Sequence, residues 1–184
     1  MTRRKRRPWI RRATVLVPVL VLLALGVMTD RMFVHPRLAP VPPKVDAIIE
    51  LGGAGMEGRD RVALELARTG YAPYVVQSTL ADAEGTSRCL PPVPDVTVLC
   101  FHAEPNTTRG EARWIAEEAA RRNWRSVVLV TTPDQAWRAW LRTTRCFDSE
   151  VFVATSPLPP RDWPWQIPYQ WAATVKAMTM ERAC

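Results

Sequence analysis

The sequence predicts an α/β protein: a Rossmann-like three-layer sandwich with a mainly parallel sheet of about five strands, preceded by one transmembrane helix. Short apolar runs alternate with amphipathic segments from Asp46 onward, which is typical of a parallel sheet with helices on both faces. One run, Val127 to Val130, is entirely apolar, as expected for a strand in the middle of such a sheet. The transmembrane helix is predicted by an uncharged apolar run from Ala13 to Met28.

The N-terminal segment also predicts where the protein lies. Residues 1–12 hold seven basic side chains and no acidic one, and the positive-inside rule keeps such a segment in the cytoplasm. The apolar run is slightly shorter than the roughly 20 residues of a membrane span and slightly longer than a signal-peptide core. We expect an uncleaved anchor over residues 13–29 of a single-pass membrane protein, with a cleaved signal sequence as the alternative. Either way, we expect the chain after Thr29 to lie outside the cytoplasm.

The charge balance argues against a nucleic-acid partner. The chain has 25 basic and 18 acidic residues, a formal net charge of +7. Seven of the basic residues lie in the N-terminal segment, so the remainder holds 18 of each sign and is neutral. A nucleic-acid-binding protein would carry its positive excess on the folded portion.

Four cysteines, Cys89, Cys100, Cys146 and Cys184, fit an oxidising compartment. None is spaced as C-x-x-C, so zinc binding and thioredoxin chemistry are disfavoured. An even number favours disulfides outside the cytoplasm, and three pairings are possible. We prefer Cys89–Cys100, which would close a proline-rich loop, with Cys146–Cys184 holding the C-terminus. Buried free thiols are the alternative.

Proline-rich residues 30–44 predict a stiff, extended spacer that lifts the following domain off the membrane. Residues 45–184 are then expected to form one α/β domain. Its predicted strands cover 46–51, 74–78, 96–100, 127–130 and 151–153, its predicted helices cover 58–69, 107–123, a segment from Pro133 and the region 169–180, and 79–94 is predicted to be a loop.

A glycine loop, Gly52 to Gly55, follows the first predicted strand and precedes a helix. This unit places an anion or nucleotide in many α/β proteins, because backbone N–H groups and the helix N-terminus point at it. The spacing matches neither G-x-G-x-x-G nor the Walker motif, so it predicts no dinucleotide or Walker site. Ligands of such sheets bind beyond the carboxyl ends of the strands. That edge is expected to hold Gly52, Gly53, Ser78, Thr79, the 101–108 loop, Thr131 and Thr132.

The start of the second predicted helix has two compatible interpretations. Thr108 and Glu111 have the spacing of a capping box, in which each side chain satisfies a backbone donor. The helix N-terminus could instead bind an anionic group of a ligand, with Thr107 or Thr108 as a donor.

Arginines supply the candidate cations. Arg59 and Arg61 follow the glycine loop, where a guanidinium could bind phosphate or carboxylate in a fork. A solvated position is expected more for Arg59 than for Arg61. Arg138, Arg142 and Arg145 share one helix face, usually a solvent-facing pattern, and we place Arg138 in the cleft.

Candidates for catalysis are few. The chain has two histidines, no G-x-S-x-G and no H-E-x-x-H, which disfavours a Ser–His hydrolase and a metalloenzyme, and we predict no metal site. The weak catalytic candidates are Glu104, Asp134 and Gln135, of which the two acids could act as a general base. An aromatic group near the C-terminus favours core and lid packing over a ligand platform; it consists of Trp163, Trp165, Tyr169 and Trp171.

Several motifs together resemble the YdcF/SanA (ElyC-related) family. They are Asp-Ala-Ile-Ile-x-Leu-Gly-Gly at 46–53, Gly-Tyr-Ala-Pro at 70–73, Thr-Arg-Gly-Glu-Ala at 108–112, and Val-Leu-Val-Thr-Thr at 128–132 followed by Arg138-Ala139. The cysteine-containing form looks like an actinobacterial, membrane-anchored branch. The resemblance implies a Rossmann-like fold and a role in cell-envelope integrity, in peptidoglycan or surface polysaccharide metabolism. It does not imply a defined reaction, and S-adenosylmethionine is a possible cofactor by resemblance only.

The resemblance carries over Gly52, Gly53, Arg61, Thr108, Glu111 and Arg138 as ligand-binding positions. Many relatives have a histidine where this chain has Gln135, so the resemblance supplies no catalytic base here. The leading hypothesis is an extracytoplasmic cleft that binds an anionic, phosphate-bearing small molecule or lipid-linked envelope precursor, with Arg61 and Arg138 as the clamp. The alternatives are a non-catalytic envelope scaffold, acting through its Trp-rich C-terminal surface, and an S-adenosylmethionine-binding protein.

Overall fold

The computed structural model describes residues 8–53, 55–79 and 89–184. Five strands, β1 to β5, alternate with helices α2 to α5, and an apolar helix α1 precedes them. The strands are β1 (Ala47–Glu50), β2 (Tyr74–Ser78), β3 (Thr97–Phe101), β4 (Ser126–Thr131) and β5 (Glu150–Thr155). The helices are α1 (Pro8–Thr29), α2 (Met56–Arg68), α3 (Thr108–Arg122), α4 (Pro133–Cys146) and α5 (Trp163–Thr179). A π-helical turn, Asp30–Val34, follows α1, and a 3₁₀ turn, Pro160–Asp162, precedes α5.

The strands form one parallel sheet in the order β3-β2-β1-β4-β5. The centre of the sheet is the apolar strand β1, in which Ile49 lies opposite Val76 on one side and Leu129 on the other. The order reverses between β1 and β4, where a crevice forms at the carboxyl ends. The predicted Rossmann-like fold is confirmed.

Two apolar clusters, one on each face of the sheet, make the three layers. Ile49 and Leu129 face α3 and α4, where they pack with Ile115 and Ala139. The opposite face is covered by α2 and contains Ile48, Val75 and Val128, which pack with Ala63 and Ala67. Because side chains alternate along each strand, the same strands contribute β-branched side chains to both clusters.

The apolar N-terminal helix could span a membrane: the stretch Thr14–Val34 is long and apolar enough, and none of its most apolar window is buried against the domain. It is compatible with a single-pass anchor. Disulfides join Cys89 to Cys100 and Cys146 to Cys184, as predicted, and they hint at an oxidising, extracytoplasmic compartment.

The segment after α1 packs on the domain, whereas we expected residues 30–44 to be a stiff, extended spacer that lifts the domain off the membrane. Phe33 is fully buried, with its ring centroid 5.3 Å from that of Trp171. Leu38 and Val41 pack against the two core clusters. Apolar side chains between the prolines provide area to bury, so the segment joins the apolar helix closely to the domain. Most of the predicted loop at 79–94 lies outside the described residues.

Candidate functional site

A cavity of about 340 Å³ lies at the carboxyl ends of β1 and β4. Its walls are the Gly52–Gly53 turn after β1, the N-terminal turns of α3 and α4, and the first half of α5. This is the position where the sheet topology predicts a ligand.

Arg59 lies beneath the glycine turn and is fully buried. Its Nη1 donates to the carbonyl oxygens of Leu51 and Gly52, both at 2.6 Å. Its Nη2 donates to Thr132 Oγ1 at 3.0 Å and to Gln135 Oε1 at 3.1 Å. Burial lowers the pKa of Arg59, while the nearby carboxylates of Glu111 and Asp134 oppose that shift. The guanidinium therefore joins the turn after β1 to the start of α4.

The prediction that Arg59 is solvated and that Arg61 enters the cleft is wrong in its placement of both side chains. Arg61 is exposed and lines a separate surface hollow with Gly58 and Pro157. The reason is helical register: Arg59, Ala63 and Ala67 are four residues apart and form the buried face of α2. The sequence contained that signal in the two alanines that follow Arg59.

Glu111 fixes the glycine turn from the opposite side. Its Oε1 accepts the N–H of Gly52 at 2.7 Å, and its carboxyl is also bonded to the Ser78 side chain. Burial raises the pKa of Glu111, and these bonds together with Arg59 and Arg138 counter the rise. The Gly52 N–H that we expected to face a ligand is therefore already used within the protein.

Two arginines line the cavity, Arg59 and Arg138, and Arg138 lies at the side formed by α3, α4 and α5. It is 7% exposed, and it donates through Nη1 to Thr108 Oγ1 at 2.6 Å and through Nε to Gln170 Oε1 at 3.0 Å. Tyr169 lies beside it, with the guanidinium carbon 5.9 Å from the ring centroid. A guanidinium has five N–H groups, and in the described part of the chain those of Arg138 other than these two have no acceptor. Its predicted place in the cleft is confirmed.

The α3 terminus differs from the predicted capping box. Thr107, not Thr108, is the N-cap, and its Oγ1 accepts the N–H of Gly110 at 3.2 Å. Glu111 turns toward Gly52 instead of toward the cap. Gly110 allows close packing here, since a Cβ would lie 2.0 Å from the Pro105 carbonyl oxygen. The side chain of Thr108 is left to face Arg138 and the cavity.

The acids and amides of the cavity lie between the two arginines. Asp134 is 1% exposed. Its Oδ2 accepts from Gln170 Nε2 at 2.8 Å, while Oδ1 is buried without a hydrogen-bond partner among the described residues. Gln135 bonds Arg59 through Oε1 and approaches Thr108 Oγ1 through Nε2 at 3.5 Å. The other predicted acid, Glu104, is exposed and is not part of the cavity wall.

Helix α5 contributes residues whose position at the cavity no sequence pattern predicted. Gln166, Tyr169 and Gln170 line the cavity. The arginine stripe on α4 also meets this part of the chain instead of solvent, since Arg142 pairs with Glu181 and Arg145 donates to the Ala177 carbonyl oxygen at 2.8 Å. An α4 face of three arginines beside a helix whose one charged residue is Lys176 carried no signal that the two would pack together.

Of the predicted ligand-binding residues, the structure places Gly52, Gly53, Thr107, Thr108, Glu111 and Arg138 around one cavity and leaves Arg61 outside it. Within the described ranges, no group of three or more His, Cys, Asp or Glu side chains could hold a metal ion. No family model, curated protein or solved structure matches this chain.

Proposed function

We propose that this protein is a membrane-anchored, extracytoplasmic α/β domain whose cavity binds a phosphate-bearing ligand of cell-envelope biogenesis. One observation carries the proposal. Arg138 is buried at the cavity wall, Thr108 and Gln170 orient it, and its other N–H groups have no acceptor among the described residues. A guanidinium held in this way can bind two oxygens of a phosphate.

The surrounding backbone supports an anion at the same point. The N–H groups of Thr108 and Asp134, at the starts of α3 and α4, have no acceptor among residues 8–53, 55–79 and 89–184. Two helix N-termini that converge on one cavity add positive potential to that of Arg138. Arg59 and Glu111 act as positioning residues. Both Nη atoms of Arg59 bond the glycine turn and the start of α4, and Glu111 accepts the Gly52 N–H.

The envelope context rests on three supports that point the same way. They are the apolar helix that could span a membrane, the two disulfides and the resemblance to YdcF/SanA proteins described above. The clamp differs from the one expected from sequence, because Arg138 acts without Arg61.

Binding of inorganic phosphate and of a polyprenyl phosphate to the full chain in detergent tests the proposal. Ligand that binds the folded state raises the melting temperature. We expect a rise with both phosphates, none with the unphosphorylated polyprenol, and at least a tenfold loss of affinity in Arg138→Gln, since a charged hydrogen bond contributes about 1.5–3 kcal/mol. Arg61→Gln is the matched control and should bind normally. Equal affinity in the two variants would refute the clamp.

A second candidate, the envelope scaffold, is favoured by the 82% exposure of Trp165 on α5. A scaffold would bind a protein through this surface and would show no phosphate-dependent rise in melting temperature. Trp165→Ala would then release the protein partner without altering the cavity.

A further inference from the structure

Helix α5 has a continuous apolar face that no other part of the described chain covers. Its buried side consists of Gln170, Thr174 and Ala177. The opposite side is exposed and, apart from Lys176 and Thr179, apolar; we call its apolar part the α5 face: Trp165, Pro168, Tyr169, Ala172 and Val175. Trp165 is 82% and Tyr169 58% exposed. A contiguous apolar patch on a protein surface marks an interaction site.

The N-terminal apolar helix ends against the same element. Trp171 Nε1 donates to Thr29 Oγ1 at 3.0 Å, and Phe33 packs edge-on against the Trp171 ring. At 100° per residue, Trp171 lies between the buried side of α5 and the α5 face. The α5 face therefore begins beside the point at which the apolar helix reaches the domain.

We propose that the α5 face rests on the membrane, within the headgroup layer of the leaflet that α1 enters. An amphipathic helix lies in this layer with its apolar side toward the acyl chains, and Trp and Tyr are enriched there because one end of each ring is polar. Lys176 is the single charged residue of α5, and it pairs with Glu181 just beyond the helix at 2.9 Å. The pair leaves no net negative charge here to be repelled by anionic lipids. The packed segment after α1 holds the domain at this depth.

This docking gives the cavity an orientation. Tyr169 belongs both to the α5 face and to the cavity wall, which α5 completes with Gln166 and Gln170. The cavity mouth therefore opens beside the headgroups. Taken with the proposed function, on which this point rests, the orientation of the cavity identifies the ligand as the phosphate of a lipid whose chain stays in the bilayer.

Photocrosslinking of the full chain in phosphatidylcholine–phosphatidylglycerol nanodiscs tests the docking. The photoreactive residue p-benzoyl-phenylalanine replaces Trp165 or, in a second variant, Val175. Leu22, which is 68% exposed on α1, is the positive control, and Arg121, whose side chain is 65% exposed at the end of α3, is the control away from α5. After irradiation, intact-mass measurement identifies what each position has bound.

We expect lipid adducts at positions 165, 175 and 22, and at least fivefold fewer at 121. Adducts at 22 without adducts at 165 and 175 would overturn the docking. Crosslinks from 165 and 175 to a second copy of the chain or to an added protein would also overturn it and assign the face to that partner. Both nanodisc lipids carry a phosphodiester, so positions 165 and 175 are also probed in the Arg138→Gln variant. Adducts that persist there report the docking of the α5 face and leave the test of phosphate binding independent.

Discussion

Buried acids lie on both sides of the Gly52–Gly53 turn, in opposite electrostatic surroundings. On the α3 and α4 side, Glu111 and Asp134 lie near Arg59 and Arg138. On the α2 side, Glu50 is fully buried and its carboxyl is hydrogen-bonded to that of Asp60. Gln77 Nε2 lies 3.4 Å from Glu50 Oε1 and 3.2 Å from Asp60 Oδ1.

The unfavourable burial of a carboxylate charge is avoided in a different way on each side of the turn. Burial, followed by the bond to Asp60 and the charge of Asp60, raises the pKa of Glu50 to about 9, although Gln77 and Arg59 oppose the rise. Glu50 is therefore protonated at neutral pH, which lets it donate to Asp60. On the other side, arginines neutralise the acids, and Arg138 keeps donors available. An anion is thus attracted to one side only, because a carboxyl pair that shares a proton offers it no cation.

Of the substitutions proposed here, the removal of Arg59 should lower the free energy of unfolding most. Arg59→Met leaves two carbonyl oxygens without their donor and Glu111 without its nearest countercharge on α2, so we expect a loss of about 3–5 kcal/mol in the free energy of unfolding. Urea unfolding of the full chain in detergent measures it. The exposed neighbour gives the control, Arg61→Met, expected within about 0.5 kcal/mol of the wild type. Similar losses in the two variants would contradict the central position of Arg59.

Glu50→Gln should change how the free energy of unfolding depends on pH. Because the pKa of Glu50 is raised, the folded state holds its proton where the unfolded state does not, so this contribution is complete below the unfolded pKa of about 4.3 and is lost as pH rises toward 9. We expect the stability of the wild type to fall, relative to the variant, by up to about 1.4 kcal/mol per pH unit between pH 5 and 8. Glutamine keeps a permanent donor to Asp60.

Urea unfolding at each pH measures this difference. The exposed acid at the start of α2 provides the control variant, Glu57→Gln, which should retain the wild-type dependence. Parallel profiles for the wild type and Glu50→Gln would show that Glu50 is ionised in the fold.

Thr108→Val should have the smallest effect, on the arginine side alone. It removes the acceptor of Arg138 Nη1, which costs about 1 kcal/mol and loosens the guanidinium. We expect phosphate affinity to fall about three- to tenfold, as measured by the shift in melting temperature. Thr144→Val removes a hydroxyl bonded within α4 itself and should leave affinity unchanged. Equal affinity in the two variants would mean that Thr108 does not orient Arg138.

Much of the fold was accessible from the sequence because it depends on local pattern. Apolar runs alternating with amphipathic segments predicted all five strands, and the entirely apolar run at Val127 to Val130 predicted an interior strand, β4, which lies between β1 and β5. The preferred disulfide pairs were also correct. For the site, the sheet rule placed the glycine turn and the start of α3 at one edge, as the cavity shows.

Long-range packing was not accessible in the same way. Neither the bond of Glu111 to Gly52, 59 positions earlier, nor the lining of the cavity by Gln170 follows from nearby residues. The choice between Arg59 and Arg61 depended on which face of α2 meets the sheet. A solvated arginine and a buried one look alike in sequence until the acceptors that surround them are known.

The sequence by itself determined the apolar N-terminal helix, the order of strands and helices, and the edge at which polar residues gather. Hydrophobic periodicity specifies these, since each strand or helix must bury its own apolar face. Only the tertiary structure decided that Arg138 faces the cavity, that Glu50 keeps its proton and that α5 joins the cavity to the apolar helix. These properties arise from desolvation and from contacts such as those of Arg138 with Thr108 and of Trp171 with Thr29, 30 and 142 positions apart, which no local pattern encodes.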